Sequence, residues 1–463
     1  MKKLLTLILA LTMVLSLCAC GGSGNEETTG KKDQPTLNIG YAKVDITPDY
    51  SVGMRGYGDS ETRLSEGVAS NLYATCIAAT AGEETILIYT VDNLGIEREI
   101  ADDFRKEITA ATGVPGDKIF FGGTHGHNCP DLVLYPQYTS DLAKWTVEAA
   151  KQALADQAPA TIQAAVHEVK GMNFARHYQN SDGSYFGSNF GTNIDPVAHA
   201  GEKDSRLMLV KFDREDAKKD VLMINWQAHQ DSGSEIGYNL LSACWAGELR
   251  DTVSAETGME VAYFTGASGN TNKDSRIPGE DSGLSWRDYG KKMGMIAVGV
   301  LEMLEPVEGT EIKTTRVIQE VSIDHSWDDK LEQANEVYDL WKSTDKDTAT
   351  VLAKKYNFSS VFQANAIRER VNMEATGELE LNAFSIGSIG FTTGTYEMFG
   401  GSSLYVRENS PFAYTFIITG NRKYIPTQDA FDYRSYEADT GYYARGTAEL
   451  LDQKYVEMLN SLK

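Results

Sequence analysis

Four short apolar runs place the strongest constraint on how this chain folds. TILIYT (85–90), KIFFG (118–122), VLMINW (221–226) and EVAYFT (260–265) are rich in β-branched and aromatic residues and too short for helices, so they predict buried strands. Stretches of helical period lie between and after them. Glu99–Thr112 predicts a helix closed by Gly113. Residues 141–155 place Leu142, Trp145, Thr146, Ala149 and Ala153 on one helical face, and Leu284–Leu304 predicts a third helix stopped by Pro306. From Asp328 to Met373 the composition is strongly helical, and strands return from Leu379 onward. Strands interleaved with helices predict an α/β architecture, a mixed central sheet flanked by helices. The candidate site residues are scattered from 125 to 436, which assigns residues 36–463 to one large domain. With 463 residues and 41% apolar content, the chain has the material for such a core.

The first residues predict a compartment. Lys2 and Lys3 precede an apolar segment, Leu4–Leu17, that is too short to span a bilayer comfortably. Leu17-Cys18-Ala19-Cys20-Gly21-Gly22 then has the small-residue pattern of a lipobox. Residues 1–19 are therefore expected to be a lipoprotein signal peptide and Cys20 the lipidated residue. Residues 20–35 carry almost no apolar side chains and read as a flexible tether. The expected location is outside the cell, held to its membrane by the lipid on Cys20.

After acylation Cys76, Cys129 and Cys244 remain, an odd number without repeated spacing. That argues against a disulfide framework or a zinc knuckle. The formal charge of −23 disfavours nucleic acid and anionic headgroups as partners. Solubility of an exported protein explains such a charge, which names no substrate and implies no protein partner.

Only seven histidines occur, so their placement is informative. The predicted strand at 118–122 runs into Thr124-His125-Gly126-His127-Asn128, and side chains at i and i+2 of a strand share a face. Two imidazoles at a strand end suit metal binding or polar catalysis, and strand ends are where α/β folds build sites. Ile224-Asn225-Trp226-Gln227-Ala228-His229 delivers another histidine in the same way. The helical His-x-x-x-His zinc motif is absent.

Several segments, in order, carry a resemblance. Asn38–Pro48 (NIGYAKVDITP) resembles the opening "G-x-G-x-x-D-I-T-P" strand of the neutral ceramidase family, while Gly56-Tyr57-Gly58 and Asn71-Leu72-Tyr73-Ala74 resemble its "GYA" and "LYARA". Thr124–His127 resembles "ATHTHSGPG", and Phe174-Ala175-Arg176-His177 with the Asp204 segment resembles the family's arginine-bearing loop. Asn225–His229 resembles "NWFAVHP", and Gly266–Asn270 a glycine-rich turn behind the next strand. Gly394-Thr395-Tyr396-Glu397 resembles "PGEF", and Tyr424–Thr427 with Tyr436-Glu437-Ala438 resembles "YVTT…YEGAS". The register holds from about Gly40 to Glu449. The β-sandwich domain that ceramidases carry behind the catalytic domain has no counterpart in this match.

The resemblance implies a zinc-dependent amidohydrolase that cleaves the N-acyl bond of a lipid-like substrate such as ceramide, a sphingolipid. It implies one Zn2+ per chain, held by His125, His229, Glu397 and Tyr424, with an open position where water is activated. It assigns His127, Arg176 and Tyr436 to the reacting carbonyl and leaving group, where donors stabilise an oxyanion. Asp45 and Asp92 are candidates for structural or supporting roles only.

The sequence also departs from the family. Asn128-Cys129-Pro130 replaces Ser-Gly-Pro-Gly, which makes Cys129 either a soft ligand or, more in keeping with four ligands already named, a packed thiol. Ser242-Ala243-Cys244 stands where ceramidases have Ser-Gly-Asp. Both changes fall on the substrate side. They leave open hydrolysis of another N-acyl or ester substrate, or a surface lipoprotein that captures a ligand without turnover.

Overall fold

A computed structural model describes residues 34–57, 60–187, 195–280, 282–343, 346–419 and 423–463. The expected signal peptide, Cys20 and all but the last two residues of the tether lie outside the described residues. The chain from Pro35 to Lys463 forms one compact unit.

The principal sheet is assembled from β1 (Leu37–Asp45), β2 (Tyr73–Ala81), β3 (Glu84–Val91), β4 (Ile119–Gly123), β5 (Ala158–Glu168), β6 (Arg206–Arg214), β7 (Val221–Trp226) and β8 (Glu260–Thr265). Its order is β8-β7-β6-β5-β1-β2-β3-β4. The inner pairs are antiparallel, while β3–β4 and β7–β8 at the two ends are parallel. A parallel pair needs a crossover, and a helix supplies it in each case: α1 (Arg98–Thr112) between β3 and β4, and α3 (Cys244–Thr257) between β7 and β8. The four apolar runs thus become β3, β4, β7 and β8, the strands of those two crossover units.

On one face of this sheet lie α1 and α2 (Pro136–Ala155) over its β1–β4 half, and α3 and α4 (Trp286–Val300) over the other. The opposite face packs on a second sheet of β9 (Ile312–Ser322), β10 (Thr376–Ile386), β11 (Ile389–Gly394) and β12 (Tyr414–Ile418), in that order. Phe120 stacks on Phe384 with centroids 4.4 Å apart, and Phe264 meets Phe416 edge-on at 5.6 Å. Strand alternation turns Phe384 and Ile386 of β10 toward this interface and Leu379, Leu381 and Ala383 the other way. Those three residues meet the C-terminal helix α9 (Thr447–Ser461) through Leu451 and Leu459. The result is a helix–sheet–sheet–helix sandwich. In the second sheet α8 (Gly400–Asn409) joins the parallel pair β11 and β12.

The helical stretch predicted after Asp328 becomes three short helices, α5 (Leu331–Lys342), α6 (Lys346–Lys355) and α7 (Val361–Arg370). They share a small core of their own around Val337, Ala353, Phe358 and Ile367.

The helix boundaries carry corrections. α2 starts five residues earlier than its apolar stripe implied, because Pro136 supplies a first-turn residue that needs no amide partner. Its buried face holds Tyr138 and Ala150 besides the expected residues, while Trp145 is only half-buried. α4 is shorter than Leu284–Leu304: Ser285 caps it by accepting from Asp288 N–H, and a 3-10 turn at Leu301–Met303 ends it. Gly113 closes α1 in the left-handed region, its N–H on Thr109 O. Cys76, Cys129 and Cys244 are free and buried. No described helix is long and apolar enough to cross a membrane.

Candidate active site

All three crossover units point the C-terminal ends of their strands at one place. His125 follows β4, His229 follows β7, and Glu397 follows β11. Glu397–Met398 pairs in parallel with Tyr424–Ile425, beyond the end of β12.

His125 and His229 are each 1% exposed, and their Nε2 atoms stand 3.0 Å apart. The other nitrogen of each ring meets a backbone carbonyl: His125 Nδ1 is 2.9 Å from Leu94 O, and His229 Nδ1 is 3.0 Å from Ser268 O. A carbonyl only accepts, so both Nδ1 atoms carry a proton, and in the neutral rings both Nε2 atoms then present lone pairs. Two lone pairs facing at that distance repel unless a cation lies between them. Glu397 Oε2 completes the picture, 3.3 Å from His125 Nε2 and 3.8 Å from His229 Nε2, buried and without a hydrogen-bond partner. Imidazole nitrogens fixed by carbonyls behind them, facing an orphaned carboxylate oxygen, fit a divalent metal.

His127 joins the cluster, its Nε2 3.4 Å from that of His125. Together His125, His127 and His229 form the one group of metal-ligating type found among the described residues, and Cys129 is outside it. Strand alternation, expected from the i, i+2 spacing, is not what brings His125 and His127 together. His125 has φ of +64°, so Thr124–His127 is a tight loop and strand alternation does not orient the imidazoles. His127 differs from the other two: its Nδ1 makes no hydrogen bond, and it lines the open cleft. Tyr57 packs edge-on against its ring at 5.1 Å. Gly56, at φ +112°, lies so close that a Cβ there would sit 2.6 Å from His127 Cβ. Burial holds His127 and His229 well below the usual imidazole range, with neighbouring positive charge adding to it.

Arg176 is fully buried behind Tyr424. Its Nη2 donates to the Tyr424 hydroxyl at 3.1 Å, and its Nε donates to Glu437 Oε1 at 2.7 Å. The resemblance puts Arg176 at the reacting carbonyl, whereas the structure points its guanidinium at these two groups. Tyr436 lines the cleft, its ring 6.2 Å from that of Tyr424. Burial and the adjacent Glu437 push the Tyr436 hydroxyl up to about 12.

Glu437 and His177 have no assigned role in the sequence reading. Glu437 Oε2 lies 2.5 Å from His177 Nε2, and His177 Nδ1 lies 3.0 Å from Tyr433 Oη. Burial pushes Glu437 up, but His177 and Arg176 outweigh it and hold the carboxyl at about 2. Their only sequence signal is adjacency, Glu437 to Tyr436 and His177 to Arg176. Asp45 and Asp92 are structural. Asp45 is exposed and accepts from Thr47 N–H, while Asp92 is buried in a two-pronged pair with Arg250 at 3.0 and 2.6 Å. Cys129 is a packed thiol 3.7 Å from Ser242 O.

The cluster opens into a cleft of about 890 Å³. His127, Glu397, Tyr424 and Tyr436 line it, as do Tyr338, Trp341 and Phe362 of α5 and α7.

Fold and site together describe a layered α/β protein with a candidate metal centre where its crossover strands end. No family model and no curated protein sequence matches the chain. Among solved structures it is similar to neutral ceramidase from Pseudomonas aeruginosa, with a TM-score of 0.69 and 14% identity over 93% of this chain and 75% of that one. A ceramidase complexed with C2 matches at a TM-score of 0.67 and 14% identity, over 92% of this chain and 75% of the other. At this identity the shared property is the fold.

Proposed function

We propose that the chain is a zinc-dependent hydrolase that cleaves the N-acyl amide bond of a lipid-like substrate such as ceramide. The observation that carries this reading is the convergence of His125 Nε2, His229 Nε2 and the orphaned Glu397 Oε2 beside a cleft that Glu397 itself lines. Likeness in fold to neutral ceramidase supports the substrate class. So do Val133 and Leu134 at the cleft, each nearly half exposed, which suit an acyl chain.

In this reading His125, His229, Glu397 and Tyr424 hold the metal, which when bound polarises the scissile carbonyl and acidifies a water. His127, at the cleft beside His125, handles a proton of the reaction. Tyr436, kept protonated at neutral pH, donates to the developing oxyanion or to the leaving amine. Arg176 acts through Tyr424. Export and anchoring through Cys20 belong to the same proposal, since they bring the cleft to lipid outside the cell.

Assay of the mature protein on ceramide and on a panel of N-acyl amides and esters, with and without chelator, tests the reading. Chelator-sensitive release of fatty acid from ceramide is the expected result. Turnover confined to another acyl substrate would move the substrate assignment and keep the chemistry. Binding without any turnover would overturn the enzyme reading.

A further inference from the structure

The buried polar cluster behind Tyr424 is larger than metal binding by four side chains requires. Arg176, His177 and Glu437 are each 1% exposed. Glu437 divides its two oxygens: Oε1 accepts from Arg176 Nε at 2.7 Å and lies 2.5 Å from Nη2, while Oε2 meets His177 Nε2 at 2.5 Å. Arg176 and His177 are consecutive residues at the junction of Phe174–Ala175 and His177–Asn180, and one carboxylate grips both. Backbone contacts also secure the junction, since Arg176 N–H donates to Asn270 O at 2.8 Å.

Taking a guanidinium and a carboxylate out of water is costly, and their attraction repays that cost only in part. Stability alone is therefore a poor reason for the arrangement. Its geometric effect is specific. With Nε and Nη2 against Glu437 Oε1, the guanidinium plane is fixed, and Nη2 faces the Tyr424 hydroxyl at 3.1 Å with its carbon 5.5 Å from the ring centre. A phenol oxygen that accepts from a guanidinium so fixed is itself held in one place, with its remaining lone pair turned elsewhere. The same carboxylate anchors the short helix Tyr436–Thr440, whose preceding residue Ser435 caps it by accepting from Ala438 N–H. Tyr436, the neighbour of Glu437, is thereby held at the cleft.

We infer that Glu437 is a positioning residue: it locks Arg176 onto the Tyr424 hydroxyl and holds Tyr436 at the cleft, so that both phenol oxygens are placed before metal or substrate arrives. This rests on the metal-site reading given above.

The test compares wild type with Glu437→Gln, which keeps shape and removes charge. Metal affinity is measured by competition with a chromophoric chelator, and the tyrosinate difference absorbance is followed as zinc is added. Glu437→Gln should bind zinc about 10- to 100-fold more weakly, the scale for losing an outer-shell partner. Its tyrosinate signal should shrink toward that of Tyr424→Phe, and kcat should fall more than KM changes. Glu437→Asp should recover part of both. Should Glu437→Gln fail to fold, Arg176→Lys keeps the charge beside Glu437 but lacks the planar fork that reaches both partners, and the same losses are expected. A folded variant of either kind with wild-type zinc affinity and wild-type tyrosinate signal overturns the inference. Wild type that binds no zinc instead overturns the proposed function, a separate result.

Discussion

Glu397 and Tyr424 are direct register partners in a two-residue parallel ladder, Glu397 N–H donating to Lys423 O at 2.8 Å. Partners on adjacent strands lie about 4.8 Å apart with side chains on one face, so backbone pairing brings the two oxygen-bearing side chains to the same place. Tyr424→Phe keeps the ring and the ladder and removes only the oxygen. Zinc should then be retained at least about tenfold less tightly with little change in melting temperature. Equal affinity by chelator competition would remove Tyr424 from the ligand set.

The three histidines should fail in different ways. His125 and His229 donate their Nδ1 protons to carbonyls, while His127 Nδ1 has no hydrogen-bond partner. Metal analysis should find about one zinc per chain in wild type, as a single site predicts, and most of it lost in His125→Ala and His229→Ala. His127→Ala should stay loaded while turnover drops about two to three orders of magnitude. An empty His127→Ala beside a loaded His125→Ala would reverse the two roles.

Gly56 offers a test that touches no ligand. A Cβ at this position would press on His127 Cβ from 2.6 Å, at a backbone φ of +112° that side chains disfavour. Gly56→Ala should displace the His127 ring, lowering kcat at least about tenfold by misplacement while zinc content stays near wild type. Wild-type kcat in a folded variant would mean that the ring position does not matter.

Acid–base behaviour outside the cleft is open to test as well. Asp452 on α9 is 5% exposed and borders a cavity of about 480 Å³ with Glu202, Asp429 and Glu449. Burial raises its carboxyl from 3.8 to about 7, and Glu449 adds to the shift. The folded state therefore keeps a proton that the unfolded chain has released, and stability falls as pH rises between 3.8 and about 7. Asp452→Asn cannot ionise, so its melting temperature should overtake wild type across that window and stay ahead above it. Parallel melting curves against pH would refute this.

The anchor is tested at Cys20. Cys20→Ser should release the protein into the medium or leave an unprocessed precursor. Normal processing with retention at the membrane would refute the lipobox assignment.

The parts of the site legible in the sequence are those that strands deliver. His125 and His229 stood out because apolar runs of strand length end just before them. Glu397 and Tyr424 have no such herald: they meet through a two-residue ladder between segments 27 residues apart in sequence, a distance no local pattern encodes. Glu437 and Arg176 are 261 residues apart, so their pairing exists only in the folded chain. The positive φ of His125 was equally hidden, since the strand before it gives no notice of the turn. The α5–α7 helices were visible as composition, but their position at the cleft depends on β9 and β10 pairing.

That pairing has a consequence for how such a protein diversifies. Ser322 at the end of β9 faces Thr376 at the start of β10, so the entire α5–α7 excursion departs from and rejoins the sheet at one pair of residues. It has its own small core and supplies the cleft with Tyr338, Trp341 and Phe362, while every proposed metal ligand comes from elsewhere in the chain. Lengthening an excursion whose ends already touch costs little closure entropy. Changes within the excursion can thus reshape the cleft, and with it the molecule admitted, while every proposed metal ligand stays where it is.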